Sequence, residues 1–187
     1  KLLGTTISRK LYRNTSSEIL DNIKIPSENN DNIPPDLHQS HWCTEMGIEF
    51  INKNRSYNQP WLLSVNPFDP HPEFDPPWDY YKNYDLSTMP LPHFQPEDLL
   101  LQQQLELAGI DFQKMARYPE SDVSRNRLAC YLATIELLDH EFGRLIDHLN
   151  ETNQRKNTLI IFSSDHGEML GDHGLVQKGC RFYFPLS

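Results

Sequence analysis

One stretch limits the fold more than any other. Within residues 122–150, Leu128, Tyr131, Leu132, Ile135, Leu138, Phe142, Leu145, Ile146 and Leu149 follow at spacings of 3, 1, 3, 3, 4, 3, 1 and 3. That is one continuous apolar stripe on a long helix. A polar turn, Asn153-Gln154-Arg155-Lys156-Asn157, leads into Thr158-Leu159-Ile160-Ile161-Phe162-Ser163, which reads as a buried strand. Helix, short turn and buried strand make half of a crossover unit. The predicted class is therefore α/β, a mainly parallel sheet with flanking helices.

The remaining elements fit one domain, which is what 187 residues allow. A helix is predicted over 41–54. Trp61-Leu62-Leu63-Ser64-Val65-Asn66, flanked by Pro60 and Pro67, reads as a second buried strand. Residues 67–96 form a proline-aromatic loop, and long ordered loops of this kind are often functional. Its aromatics are expected to pack the loop onto the domain rather than line a substrate wall. Residues 1–40 are poorly patterned. Ser27-Glu28-Asn29-Asn30-Asp31-Asn32 and Pro34-Pro35 suggest a polar surface excursion.

Composition removes several function classes. Lys plus Arg is 17 against 26 for Asp plus Glu, a formal net charge of −9. A nucleic-acid partner is not expected of so acidic a chain. No apolar run approaches the roughly 18 residues of a membrane span. Cys43, Cys130 and Cys180 are odd in number and show no CxxC spacing, so neither a disulfide framework nor a cysteine zinc site is expected.

The chemistry-bearing residues follow the two apolar runs. After the first come Asp69-Pro70-His71-Pro72; after the second come Ser164-Asp165-His166-Gly167. Ligands of open α/β sheets bind beyond the carboxyl ends of strands, and both clusters sit there. The second holds Asp165, His166, Glu168, Asp172 and His173, with Gly167, Gly171 and Gly174 between them. A carboxylate and a neutral imidazole suit a divalent cation. Read alone, Asp165-His166 is more simply a helix cap and a loop histidine. Lys178 could neutralise an anionic substrate, or be a solvated lysine. His71, stiffened by two prolines, could donate a proton to a leaving group, or simply pack in its loop. Asp172 and His173 could orient metal ligands or cap a short helix.

Taken in order, these motifs resemble the sulfatase family of the alkaline phosphatase superfamily, which includes related phosphonate and phosphate monoester hydrolases. The resemblance rests on Asp69-Pro70-His71-Pro72 with Phe74-Asp75-Pro76-Pro77, on Ala133-Thr134-Ile135-Glu136-Leu137-Leu138-Asp139 with Phe142-Gly143-Arg144, on residues 157–174, and on Lys178-Gly179-Cys180-Arg181-Phe182-Tyr183. It implies a partial alkaline-phosphatase-like domain, with 41–187 as its core portion. It implies that Asp165 and His166 are metal ligands, that Lys178 contacts the sulfate or phosphate group, and that His71 sits over the leaving-group oxygen. The implied metal is Ca²⁺, with Mn²⁺ or Zn²⁺ allowed by the donors. The implied substrate is a small sulfate ester such as a sulfated sugar, or a phosphonate or phosphate ester. The family favours an exported compartment: periplasmic, extracellular or lysosomal.

The nucleophile of such enzymes is usually a formylglycine made in a C/S-x-P-x-R motif. Here Cys43 is followed by Thr44-Glu45-Met46 and Cys180 by Arg181-Phe182-Tyr183, and neither fits. The family's early aspartate pair and its lysine-x-histidine element are also missing. The sequence is thus expected to be an internal fragment, inactive alone, of a metal-dependent sulfuric ester hydrolase.

Overall fold

A computed structural model describes residues 25–29, 33–54, 59–108, 121–175 and 178. Four α-helices organise them: α1 (Gln39–Asn54), α2 (Trp78–Tyr81), α3 (Pro96–Leu107) and α4 (Ser121–Glu151). None is long and apolar enough to cross a membrane.

The helix α4 has the length that the stripe predicts, but a different face of it is buried. Ala129, Cys130, Ala133 and Leu137 are fully buried, whereas Ile135 is 38% exposed and most of the larger stripe residues are only half-buried. Small side chains let neighbours approach closely, so the tightest contacts form there rather than along the bulky stripe. The Thr134 hydroxyl, buried on that face, donates to the Cys130 carbonyl at 2.8 Å. Burial of the Cys130 thiol, together with the Asp75 charge, pushes its pKa up to about 12.

The proline-aromatic segment packs onto this face, as expected. Phe74 and Tyr81 are buried against Ala129, Cys130 and Ala133, and Trp78, Tyr80, Tyr84, Leu86 and Met89 add to the cluster. Phe74 meets Tyr131 edge-on at 5.3 Å between ring centroids. The phenol of Tyr81 donates to Asn126 Oδ1 at 2.7 Å, so its polar end is satisfied.

Helix α1 crosses α4 through a polar clasp. Glu141, buried on α4, accepts from Arg144 at 2.7 Å and pairs with His41 of α1 at 3.0 Å; Arg144 also bonds Glu45. Desolvation works to raise the Glu141 pKa, yet the bonds from Arg144 and His41 outweigh it and hold the carboxyl below its usual range. Gly47 lets α1 come close to its neighbours. A Cβ there would lie 3.1 Å from Leu145 of α4 and 3.3 Å from Val65.

Helix α3 was not expected from the sequence, though its start carries the signals. Pro96 opens it, and Asp98 Oδ2 reaches back to accept from the Gln95 N–H at 2.8 Å. That is the reciprocal half of a capping box.

Residues 1–24 lie outside the described residues; in the rest of that polar stretch Ser27, Glu28, Asn29, Pro34 and Asp36 are exposed, whereas Pro26, His38 and Ser40 are buried. One further expectation differs from the structure. The two runs expected as buried strands are extended, yet no strand ladder forms among the described residues. Trp61, Leu63 and Val65 face the helices, with Trp61 edge-on to Phe50 of α1. Phe162 touches Phe142 of α4 at 5.3 Å between ring centroids. The outward side chains are open, Leu62 at 91% and Leu159 at 87% exposure. An uninterrupted apolar run signals burial on both faces. The described helices cover only one.

Candidate functional site

Each extended run ends in a loop, and the two loops are built differently. The first, residues 66–77, is wedged between the start of α1 and α4. A turn closes it where the His71 N–H donates to the Phe68 carbonyl at 3.2 Å, and the two rings stack at 4.4 Å. His71 Nδ1 lies 2.5 Å from the Pro72 carbonyl oxygen. A carbonyl only accepts, so this nitrogen carries the proton. The other nitrogen, Nε2, then presents a lone pair, and it meets Lys178 Nζ in a short contact across 107 positions of sequence. Two residues singled out separately in the sequence are thus brought together.

Asp69 and Asp75 of the same loop are both buried. With His38, also buried, they offer ligand atoms within 4.8 Å of one another, a spacing that one divalent ion could bridge. Sequence reading passed over His38, which has no motif around it and stands in a polar stretch.

The second loop, residues 164–175, begins in the open. The Asp165 side chain is 87% exposed and that of His166 42%. Asp165 Oδ1 accepts from the His166 N–H at 2.9 Å, and His166 Nδ1 meets the Gly167 carbonyl at 2.9 Å. By the same reasoning Nδ1 holds the proton, which leaves His166 Nε2 a free lone pair beside Asp165 Oδ2 at 3.7 Å. An oxygen and an unprotonated imidazole nitrogen so close, on two exposed side chains, fit a shared divalent cation. The extended backbone ending at Ser164 makes this possible. Past it, the Ser164 hydroxyl donates to the His166 carbonyl at 2.6 Å and curls the chain, so neighbouring side chains no longer point to opposite sides.

The far end of the second loop is pinned elsewhere. Gly171 (φ 105°) sits so close to Pro92 that a Cβ would come within 2.9 Å of its ring, and no L side chain favours that backbone. Asp172 accepts from the His93 N–H at 2.7 Å, and the His173 N–H donates to the His93 carbonyl at 2.8 Å. His173 Nδ1 bonds Asp98 Oδ1 of α3 at 3.0 Å. Asp172 and His173 therefore fasten the loop to residues 93–98, a role the sequence did not suggest. Desolvation opposes it, but the bonds from the Gln95 N–H and from His173 hold the Asp98 carboxyl below its usual range.

Comparison with known proteins gives the family of the chain. The sulfatase family model matches residues 11–183. The chain belongs to the sulfatase family, within the alkaline phosphatase superfamily. It is 30% identical over 146 residues to an arylsulfatase of Clostridium perfringens, covering 78% of this chain and 30% of that protein. It is 32% identical over 159 residues to the multifunctional alkaline phosphatase superfamily protein PehA of Trinickia caryophylli, covering 78% and 30%. The phosphonate monoester hydrolase of Agrobacterium radiobacter shares the fold, with a TM-score of 0.69 at 23% identity over 97% of this chain and 39% of that one. The chain thus spans about a third of the length of the relatives it matches. That fold likeness is what gives the α/β class its support, since the described residues alone contain no ladder.

Proposed function

We propose that the intact protein is a metal-dependent hydrolase of small sulfate esters, such as a sulfated sugar. In this reading Asp165 and His166 are among its metal ligands, and His71 and Lys178 act on the substrate. The contact between His71 and Lys178 carries it. Chain folding spends conformational entropy to join two polar side chains this far apart in sequence, beside loops whose motifs match hydrolases.

The roles follow from the atoms. The Lys178 ammonium pairs with the anionic sulfate group and offsets charge that develops on its oxygens. Pairing with substrate frees His71 Nε2 from Lys178. Because Nδ1 is committed to the Pro72 carbonyl, any proton that His71 takes up and passes to the leaving-group oxygen travels on Nε2. Asp165 Oδ2 and His166 Nε2 would hold the divalent metal, Ca²⁺ by family preference, with Mn²⁺ or Zn²⁺ compatible with the donors. When bound, such an ion supplies Lewis-acid polarisation of a substrate oxygen and a template for the nucleophile. The nucleophile, a formylglycine in this reading, comes from a motif that these 187 residues do not contain, so the chain by itself is expected to be inactive. An exported location belongs to the same proposal.

A second reading, hydrolysis of phosphonate or phosphate monoesters on the same residues, draws on the fold likeness to phosphonate monoester hydrolases. The deciding experiment compares kcat/KM of the intact protein for an aryl sulfate and for an aryl phosphonate monoester. A preference for the sulfate of about tenfold or more, which is about 1.4 kcal/mol of transition-state binding, supports the first reading. The reverse preference replaces it with the second, and turnover of neither removes both.

A further inference from the structure

His71 can only pass a proton if its ring is held in place, and the structure supplies a holder two residues away. Asp69 is buried, its side chain 1% exposed. Its two oxygens are divided between the first two residues of α1. Gln39 Nε2 donates to Oδ1 at 3.2 Å, and the Ser40 hydroxyl makes a short bond to Oδ2. The start of a helix is where a buried carboxylate is best tolerated, because the peptide dipoles leave partial positive charge there. The Ser40 N–H also donates to His38 Nδ1 at 3.3 Å, so that nitrogen bears a lone pair. His38 Nδ1 also lies 3.5 Å from Asp69 Oδ2. Both oxygens of Asp69 and Nδ1 of His38 already have protein partners. The cluster thus holds together as a hydrogen-bonded clamp.

We infer that Asp69 is a positioning residue: its bonds to Gln39 and Ser40 fasten the first loop to the start of α1 and thereby keep His71 Nε2 against Lys178. Only Pro70 separates the anchored residue from His71, and the turn from Phe68 to His71 spans the same atoms, so little slack lies between clamp and ring. The inference rests on the reading of His71 as the proton-carrying group.

The test uses the intact protein with Ser40→Ala, Ser40→Thr and Asp69→Asn. A ring misplaced by about an ångström loses up to about a hundredfold in rate. Ser40→Ala and Asp69→Asn should lower kcat by about ten- to a hundredfold, with KM within about twofold of the parent. Ser40→Thr, which keeps the hydroxyl, should recover most of the loss. Nitrogen NMR of His71 should show the Nδ1–H form in the parent and a mixture of tautomers in Ser40→Ala. Should Asp69→Asn not fold, the Ser40 pair decides alone. Unchanged kcat and an unchanged His71 tautomer in folded Ser40→Ala would overturn the inference. So would loss of one bound equivalent of metal in His38→Ala, because the cluster would then be an ion site. A fully active His71→Ala, by contrast, refutes the proposed chemistry, and the tautomer signal still reports on the clamp.

Discussion

The loops after the two extended runs look alike in sequence, each an Asp and a His one or two positions apart, and they fold into opposite environments. The first encloses its carboxylates: Asp69 and Asp75 are buried between the start of α1 and the α4 core. The second turns Asp165 outward, 87% of its side chain in the open, and anchors only its far end through Asp172 and His173. What separates them is the cover each receives. The first loop passes between two helices, whereas none of the described helices covers the start of the second. The same residue types thus serve as scaffold in one place and as open donors in the other. An Asp-His pairing in sequence does not by itself tell which.

The largest effects are expected at the contact between His71 of the first loop and Lys178, which lies past the end of the second. In the intact protein, His71→Ala and Lys178→Ala should each lower turnover by about a hundred- to ten-thousandfold while metal content stays at the parent level. Steady-state rates with elemental analysis check both halves. Loss of metal in either variant would reassign that residue to ion binding. Next in size is the packing of the enclosed loop. Phe74→Ala removes a buried ring from the α4 face and should cost about 3–5 kcal/mol, read from urea unfolding midpoints. A cost below about 1 kcal/mol would mean that the loop is not held by this cluster.

The loops differ in what the sequence could show of them. The long helix was legible to within a residue at each end, because a 3.6-residue period sustained over eight turns has few other readings. The candidate residues His71, Lys178, Asp165 and His166 came from a resemblance, and the meeting of the first two was not legible, since nothing in a sequence measures a contact across 107 positions. The buried face of α4 was not legible, because periodicity marks apolar side chains, not which of them a neighbour reaches. His38 and Ser40 were hidden in a polar stretch, where hydrogen bonds rather than hydropathy decide burial. The exposed Leu62 and Leu159 show the converse: an apolar run predicts cover, but the cover has to come from residues other than those described.

Smaller effects sharpen the same contrast. The Asp98 carboxyl, held below its ordinary range by Gln95 and His173, adds stability that is present above the unfolded-state pKa near 4 and lost as pH falls through the lower folded value. Urea unfolding between pH 6 and 2 should therefore show a shallower acid loss in Asp98→Asn than in the parent. An identical acid limb in both would remove the His173–Asp98 bond as the anchor of the second loop. Least in amplitude, Cys130 should resist thiol reagents in the native protein at pH 8, since burial and Asp75 keep its thiol protonated. Peptide mapping after labelling checks this, and ready modification would show that the α4 face opens.

In the proposed mechanism Asp165, on the open loop, holds the metal on which hydrolysis depends. The most direct test is the metal content of the intact protein carrying Asp165→Ala, measured alongside its turnover of an aryl sulfate. Bound metal and turnover are expected to disappear together while the fold persists. Full metal content with parental activity in that variant would contradict it.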